Sequence, residues 1–233
     1  MTFRTEPVLG LAAARRCAGC RGPGGPWCRG CAATVAGPAA DADLRPWPDG
    51  LPRVAARSVY AGPLREALVA FKDHGRWSLR GPLGSALAVA VAALLVDADD
   101  PARVTLVPVA GSPGSVRARD GDHVRELAGV AARVLRDRGV DVRVATVLRP
   151  GRRRHDQVGL GREARAANLR GSMRASPAAA GLAGVVLVDD LVTTGSTLAE
   201  ATRALGRVGA VPIGAAVVAA TRTRPPGAVA RSR

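Results

Sequence analysis

The sequence predicts an α/β protein in which a mostly parallel sheet is flanked by helices and preceded by a small cysteine-containing module. Short apolar runs alternate with segments of helical periodicity through residues 58–220, a pattern typical of parallel strands buried on both faces. All four cysteines lie within residues 1–35, outside this alternation. The long segment therefore predicts a sheet domain, and the N-terminal segment predicts a separate module.

Helices and strands are predicted in order along the long segment. Helical spacing of apolar side chains predicts helices over residues 64–72, 81–96, 124–135 and 198–205. Apolar and β-branched runs predict strands over residues 104–109, 142–148, 185–188 and 211–220. Residues 149–174 hold eight arginines and two acidic residues, a composition that predicts a mobile surface segment.

Composition divides the chain into four segments. Residues 36–57 are rich in Pro, Asp and Ala and predict a linker with turns between the module at 1–35 and the domain at 58–220. Residues 221–233 predict a flexible basic tail. The N-terminus lacks a long apolar stretch and carries Glu6, so no secretory signal is predicted.

Charge and hydrophobicity limit the class of protein. The 233 residues carry 34 basic and 19 acidic side chains, a formal net charge of +15, and Lys72 is the single lysine. This charge favours polyanionic partners, either nucleic acid or phosphates, while a hydrophobic fraction of 47% excludes a disordered chain. The longest uncharged stretch, residues 81–96, is too short to span a bilayer comfortably and predicts a buried helix. We therefore expect a cytoplasmic protein without membrane insertion.

The cysteines form two C-x-x-C pairs, Cys17 with Cys20 and Cys28 with Cys31, separated by seven residues. This spacing lets four thiolates converge on one tetrahedral ion, and the glycine inside each pair suits a tight turn. Two disulfides are an alternative that the expected cytoplasmic location disfavours, and a redox dithiol would need one pair beside a βαβ unit. The prediction is a structural zinc ion (Zn²⁺) with no coordination position open for catalysis.

A dense set of polar side chains follows one apolar strand. The run Val185–Val188 delivers Asp189 and Asp190 to its carboxyl end, where open α/β sheets bind ligands. Hydroxyl residues then surround a glycine at the start of a predicted helix, whose N–H groups suit a phosphate monoester. The carboxylates suit either vicinal hydroxyls or Mg²⁺. The loop residues are Thr193, Thr194, Gly195, Ser196 and Thr197.

An ordinary N-capped helix after a strand is the alternative interpretation of this run, since Thr and Ser are common cap residues. A cap needs only one hydroxyl, however, and no acidic pair. Two unpaired carboxylates after a fully apolar strand are costly without a ligand, a metal or a cation. The pattern therefore favours a binding site.

The run from Val185 to Thr197 resembles, position by position, the phosphoribosyl pyrophosphate (PRPP) signature of type I phosphoribosyltransferases. The resemblance implies a type I phosphoribosyltransferase-like fold, with Asp189 and Asp190 as the catalytic carboxylates on the ribose 2′- and 3′-hydroxyls. It also implies that residues 193–197 hold the 5′-phosphate and that Mg²⁺ accompanies the pyrophosphate.

The wider order of motifs resembles the ComF (ComFC-like) competence-protein family over residues 15–220, which implies a role in natural transformation. The sequence departs from that family at Ala110-Gly111-Ser112, where the family usually has Pro-x-Pro followed by basic residues. Besides the double C-x-x-C and the PRPP run, the matching positions are Tyr60 to Lys72, Gly75, Leu106 to Val109, Arg154, Gln157, Leu160, Arg165 and Asn168.

Cations and N–H groups elsewhere suit a pyrophosphate leaving group. Lys72 ends an apolar helix and is expected either to reach a phosphate or to be a solvated helix end. The turn after the first predicted strand offers the N–H groups of Val109 and Ala110. Arg154 and Arg165 belong to the arginine-rich segment, which predicts a loop over the site, a nucleic-acid contact or a solvated face.

Two classes of function follow. The first is a phosphoribosyltransferase linked to DNA uptake or nucleotide metabolism, and the second is a non-catalytic nucleic-acid-binding accessory that keeps the PRPP site as a sensor. The expected partners are a phosphoribosyl ligand, single-stranded DNA and proteins of the competence machinery. The scarcity of aromatic residues, with Trp27 nearest the cysteines, weakens base stacking on single strands. His123 and His155 are expected in polar surroundings, without a catalytic partner.

Overall fold

A computed structural model describes residues 16–96, 103–109, 122–151 and 171–222 of the chain. The strands are Ala40–Asp41 (β1), Val54–Val59 (β2), Val104–Pro108 (β3), Val142–Val144 (β4), Leu148–Pro150 (β5), Met173–Ala175 (β6), Val185–Val192 (β7) and Gly214–Ala220 (β8). The α-helices are Arg29–Ala33 (α1), Gly62–Asp73 (α2), Arg80–Leu95 (α3), His123–Arg136 (α4) and Ser196–Gly206 (α5). Short 3₁₀ helices span Trp77–Leu79 and Pro177–Ala179.

Within the described residues, the main sheet has six strands in the order β1-β2-β8-β7-β3-β4. Only the short edge strand β1 is antiparallel to its neighbour, and the other pairs are parallel. β7 lies in the middle, with Val188 opposite Ala216 of β8 and Pro108 of β3. The predicted α/β class with a mostly parallel sheet is confirmed.

Both faces of β7 are buried. Val186 and Val188 belong to the apolar cluster that contains α2, α3 and α4, whereas Val185 and Leu187 belong to the cluster that contains α5. Successive side chains of a strand point to opposite faces, so a strand covered on both sides must be apolar at every position. This explains why the strand before the acidic pair has a continuous apolar sequence.

In the structure, one predicted strand divides into two strands, and part of the predicted linker belongs to the sheet. Residues 142–148, predicted as a single strand, form β4 in the main sheet and the start of β5, because Leu148 leaves that sheet to pair with Ala175 of β6. Residues 36–57, predicted as a linker, contain β1 and the start of β2, where Val54 is fully buried. Of the arginine-rich segment, the described ends belong to the β5–β6 pair, and residues 152–170 lie outside the described residues.

The helical stretch Trp77–Leu95 is long and apolar enough to cross a membrane by length and composition. Its α3 part packs against α4 on one side and against β2 and β8 on the other. Leu87 and Val91 have no exposed surface. These contacts are those of a core helix between a sheet and a second helix.

The cysteine module packs against α2. Ala18 is buried in the same apolar cluster as Leu64 of that helix, and Gly19 lies so close to Pro63 that an added Cβ would approach the proline Cβ to 2.7 Å. The Arg76 guanidinium also donates a hydrogen bond to the carbonyl of Arg16. The module is thus held against the sheet domain by apolar packing and by a hydrogen bond.

Candidate phosphate-binding site and four-cysteine centre

The phosphate loop, residues 193–197, connects β7 to the first turn of α5. Thr193 and Thr194 are exposed, and the hydroxyl oxygens of Thr194 and Ser196 lie 3.0 Å apart. The first N–H groups of an α-helix have no partner within the helix, and the helix dipole favours an anion beside them. The loop therefore presents hydroxyls and helix N–H groups together, which is the chemistry of a phosphate site.

Gly195 is required by its conformation and by its surroundings. Its φ angle is +76°, in the left-handed region that favours glycine. An added Cβ would also lie 2.8 Å from Leu51 Cδ2 and 3.0 Å from Leu44 Cδ1. Both leucines come from residues 36–57, so this segment packs against the phosphate loop.

The two acidic residues differ, because Asp190 is buried and its carboxylate forms an ion pair with Lys72. The Lys72 ammonium Nζ lies 2.8 Å from Asp190 Oδ2 and 3.1 Å from Oδ1. The side chain of Asp190 is 5% exposed and that of Lys72 is 31% exposed. The cation that the buried carboxylate needs therefore comes from α2 of the same chain.

Asp189 is more exposed than Asp190, and its Oδ1 accepts a hydrogen bond of 2.8 Å from the backbone N–H of Asp190. Desolvation and the adjacent Asp190 carboxylate raise the pKa of Asp189 well above its ordinary value of 3.8. The Asp190 N–H and the Lys72 charge act in the opposite direction. A desolvated carboxyl group next to a second carboxylate is stabilised by a hydrogen-bond donor.

The remaining predicted ligand-binding residues fall into two groups. Val109 follows β3 and lies beside the acidic pair, but its N–H donates to the carbonyl of Val188 and is thus engaged within the sheet. Ala110, Arg154 and Arg165 lie outside the described residues. The structure brings Lys72 and Val109 to the same sheet edge as the acidic pair.

His123 is not in the polar surroundings expected from its sequence neighbours. It is 5% exposed and stacks on Trp77, with ring centroids 4.7 Å apart and an interplanar angle of 9°. Phe71 meets both rings edge-on. The cluster anchors the end of α2 immediately beside Lys72, a role that local sequence does not reveal.

A partly buried ion pair on α5 makes hydrogen bonds to β6. Arg203 donates to both carboxylate oxygens of Glu200, and Glu200 also accepts the N–H of Met173 at 3.0 Å. Burial acts to raise the pKa of Glu200, but the Arg203 and Met173 donors outweigh it and hold the pKa below its ordinary value. The i, i+3 spacing of acid and base is the sequence signal for this pair. Its hydrogen bonds to Met173 hold α5, the helix that follows the phosphate loop, against β6.

The four cysteine sulfurs all lie within 4.8 Å of one another. Cys20 and Cys28 Sγ are 3.7 Å apart, close to the separation of about 3.8 Å expected for two sulfurs about 2.3 Å from one tetrahedral zinc ion. An added Cβ at Gly19 would lie 2.8 Å from Cys31 Sγ, so the turn allows only glycine. The donor set and its geometry fit a structural zinc ion held by Cys17, Cys20, Cys28 and Cys31.

Two of the thiols differ in how readily they lose a proton. Burial acts to raise the pKa of Cys17, but the backbone N–H groups of Cys28, Cys20 and Gly19 outweigh it and bring the pKa to about 6. Burial, together with the neighbouring sulfurs, raises the pKa of Cys31 far above its ordinary value. A divalent ion removes this conflict because it favours all four thiolates at once.

An open parallel sheet carries an acidic pair and a hydroxyl-rich helix start at its carboxyl edge, an arrangement of α/β domains that suits a phosphate ester. Residues 125–228, which include this site, match the family model described as the phosphoribosyl transferase domain. The fold is therefore phosphoribosyltransferase-like.

A solved structure of the allosteric regulatory enzyme of purine biosynthesis matches 59% of this chain at 16% identity and a TM-score of 0.33. The match spans only 25% of that enzyme's chain. No curated protein matches the sequence.

Gly195→Ala is expected to destabilise the protein by about 1–3 kcal/mol and to weaken phosphate binding, because the new methyl group meets Leu51 in a left-handed conformation. Urea unfolding and phosphate titration measure the two effects. Gly206→Ala in the same helix is the control, since a Cβ there meets nothing within 4 Å. Equal stability of the two variants would contradict this account of the loop.

Metal analysis of freshly purified, reduced protein is expected to give about one zinc ion per chain. A chelator should lower the Tm of the wild-type protein, because binding free energy at such a site is folding free energy. Cys31→Ser should lower the Tm and remove its response to the chelator. Metal-free wild-type protein with an unchanged Tm is the result that counts against the zinc site.

Proposed function

We propose that this chain binds PRPP, or another phosphoribosyl ligand, in the manner of a phosphoribosyltransferase, with Mg²⁺ as the companion ion. The observation that carries the proposal is the acidic pair and the phosphate loop on one strand–loop–helix unit at the carboxyl edge of the sheet. The family match over residues 125–228 covers this unit and supports the same conclusion.

Each part of the unit suits one part of the ligand. The hydroxyls and N–H groups of residues 193–197 suit the dianionic 5′-phosphate. A carboxyl group at Asp189 suits a ribose hydroxyl, which donates to it and replaces water at a partly buried site. Transfer from C1′ develops positive charge on the sugar, so catalysis would consist of holding the ribose in place and stabilising that charge.

The described donor set fits Mg²⁺ only together with a ligand. Asp190 is engaged with Lys72, which leaves Asp189 as the less buried residue of the pair. Mg²⁺ commonly takes one or two carboxylates and completes its shell with substrate phosphates and water. When bound, the ion would neutralise charge on the leaving pyrophosphate.

PRPP with Mg²⁺ is expected to stabilise the wild-type protein by roughly 2.7 kcal/mol at a hundredfold excess over Kd, which raises the Tm by several degrees. Asp189→Asn/Asp190→Asn should abolish this rise, because it removes the carboxylates that accept from the ribose. Thermal unfolding with and without PRPP measures the effect.

Asp141→Asn is the matched control for the loss of a carboxylate. Asp141 is exposed, pairs with Arg103 and precedes β4, at the opposite edge of the sheet. Its variant should keep the full PRPP response. An unresponsive wild-type protein would refute the proposed function, and release of pyrophosphate on addition of nucleobases would identify an active transferase.

We also propose a ComF-type role connected with DNA uptake in the cytoplasm, in which the cysteine module meets a nucleic-acid backbone. Arg16, Arg21 and Arg29 are exposed around Cys20, so cationic side chains surround the exposed corner of the module. Affinity for single-stranded DNA should then fall steeply with salt, by a slope of about 0.7 per phosphate contacted. Unchanged affinity in an Arg16→Ala/Arg21→Ala/Arg29→Ala variant would contradict this role.

A further inference from the structure

The two-stranded ribbon of β5 and β6 carries two arginines that face each other. Arg149 of β5 and Arg174 of β6 lie directly opposite one another in the antiparallel register. Residues in this position have their Cβ atoms about 5 Å apart, and like charges there destabilise the pairing of the strands. The ribbon therefore keeps two guanidinium groups close together against their mutual repulsion.

Both guanidinium groups are open to a partner from outside the chain. Leu148 and Met173, the sequence neighbours of the two arginines, are buried in the apolar cluster that contains α5. Successive side chains of a strand point to opposite faces, so Arg149 and Arg174 point away from that cluster, and both are exposed. Among the residues that the structure describes, no carboxylate forms an ion pair with either arginine.

The ribbon has only three registered residue pairs, and α5 holds it in place. An isolated two-stranded ribbon is marginally stable in water. Here the Met173 N–H donates to Glu200 Oε1 at 3.0 Å, and the Met173 carbonyl accepts from Arg203 Nη2 at 3.3 Å. Arg203 also donates to both carboxylate oxygens of Glu200, at 2.6 and 2.8 Å. The two facing arginines therefore stand on an element that is fixed to the sheet domain.

The same contacts place the ribbon along the side of α5. Glu200 and Arg203 follow Ser196, the first residue of this helix, by one and two turns. At 1.5 Å per residue, they lie about 6–10 Å along the helix axis from the phosphate loop. Met173 binds at that level, and Arg174 is the next residue of β6. The arginine pair thus belongs to the flank of α5 and not to its first turn.

We propose that Arg149 and Arg174 form a clamp for a backbone phosphate of single-stranded DNA. Two guanidinium groups at this spacing donate to the oxygens of one phosphate group, and the anion removes the repulsion between them. A polyanion is the fitting occupant, because a single small anion is held weakly at an exposed site and the chain carries a net charge of +15. The proposal rests on the proposed DNA-binding role and deepens it, since it assigns a contact on the sheet domain in addition to the cysteine module.

The affinity for an oligothymidylate without a 5′-phosphate, measured by fluorescence anisotropy at several salt concentrations, tests the clamp. Arg149→Gln/Arg174→Gln should weaken binding about three- to tenfold and lower the salt slope by about 0.7, the value for one phosphate contact. Arg125→Gln/Arg133→Gln is the matched control, because it removes two exposed arginines from α4 on the other face of the sheet and should keep the wild-type slope. Equal losses in the two double variants would refute the clamp, because net charge alone would explain them.

Thermal unfolding without DNA provides a second readout. Arg149→Gln and Arg174→Gln should each raise the Tm by about 1–2 °C relative to Arg133→Gln at low salt, because each removes the repulsion between the facing side chains. The double variant Arg149→Gln/Arg174→Gln should gain little more, since the repulsion is already gone. Tm values that equal that of Arg133→Gln in both single variants would contradict the repulsion on which the clamp is argued.

The outcomes separate this proposal from the functions proposed above. If the wild-type protein binds the oligonucleotide and only Arg16→Ala/Arg21→Ala/Arg29→Ala weakens binding, the DNA role stands and the clamp is refuted. If the wild-type protein does not bind it, the DNA role and the clamp fail together. The rise in Tm on addition of PRPP should persist in Arg149→Gln/Arg174→Gln. Its loss there, with unchanged affinity for the oligonucleotide, would assign the arginines to the ligand of the phosphate loop and overturn the clamp.

Discussion

The placement of two adjacent carboxylates at the edge of a buried sheet is the constraint on which the rest of this structure depends. A parallel sheet covered on both faces brings Asp190 almost entirely out of water, and an isolated buried carboxylate is costly. The ion pair with Lys72 offsets that cost and requires α2 to pass beside the end of β7. Because both oxygens of Asp190 face the ammonium, the same interaction that offsets the cost of burying this carboxylate also makes the two acidic residues of the site unequal.

The segments before the sheet domain support this edge from two directions. The cysteine module packs on the start of α2, and a metal ion would stabilise a module too small to fold on an apolar core alone. Leu44 and Leu51 pack beneath Gly195 and leave no room for a side chain in the phosphate loop. The N-terminal residues thus contribute to the site through packing, although they supply none of the described acids or loop hydroxyls.

Short-range sequence patterns correctly predicted the structural features that depend on interactions between residues close in sequence. The apolar run before Asp189, the hydroxyl-rich loop and the cysteine spacing each have a short-range cause, and the structure shows the strand, the helix start and the converged sulfurs. Prediction failed where a residue's surroundings come from distant segments. His123 stands among polar residues in sequence but is buried against Trp77 and Phe71, and the predicted strand at 142–148 divides because Leu148 pairs with β6.

By itself, the sequence determined the α/β class, the position of the hydroxyl-rich loop after the acidic pair and the grouping of the four cysteines, because periodicity and motif spacing act over a few residues. Only the tertiary structure decided that Lys72 faces Asp190, across 118 residues of chain, and that the two aspartates differ in exposure. The physical reason is that the cost of burying a charge depends on what packs around it. That environment exists only once the helices have docked on the sheet.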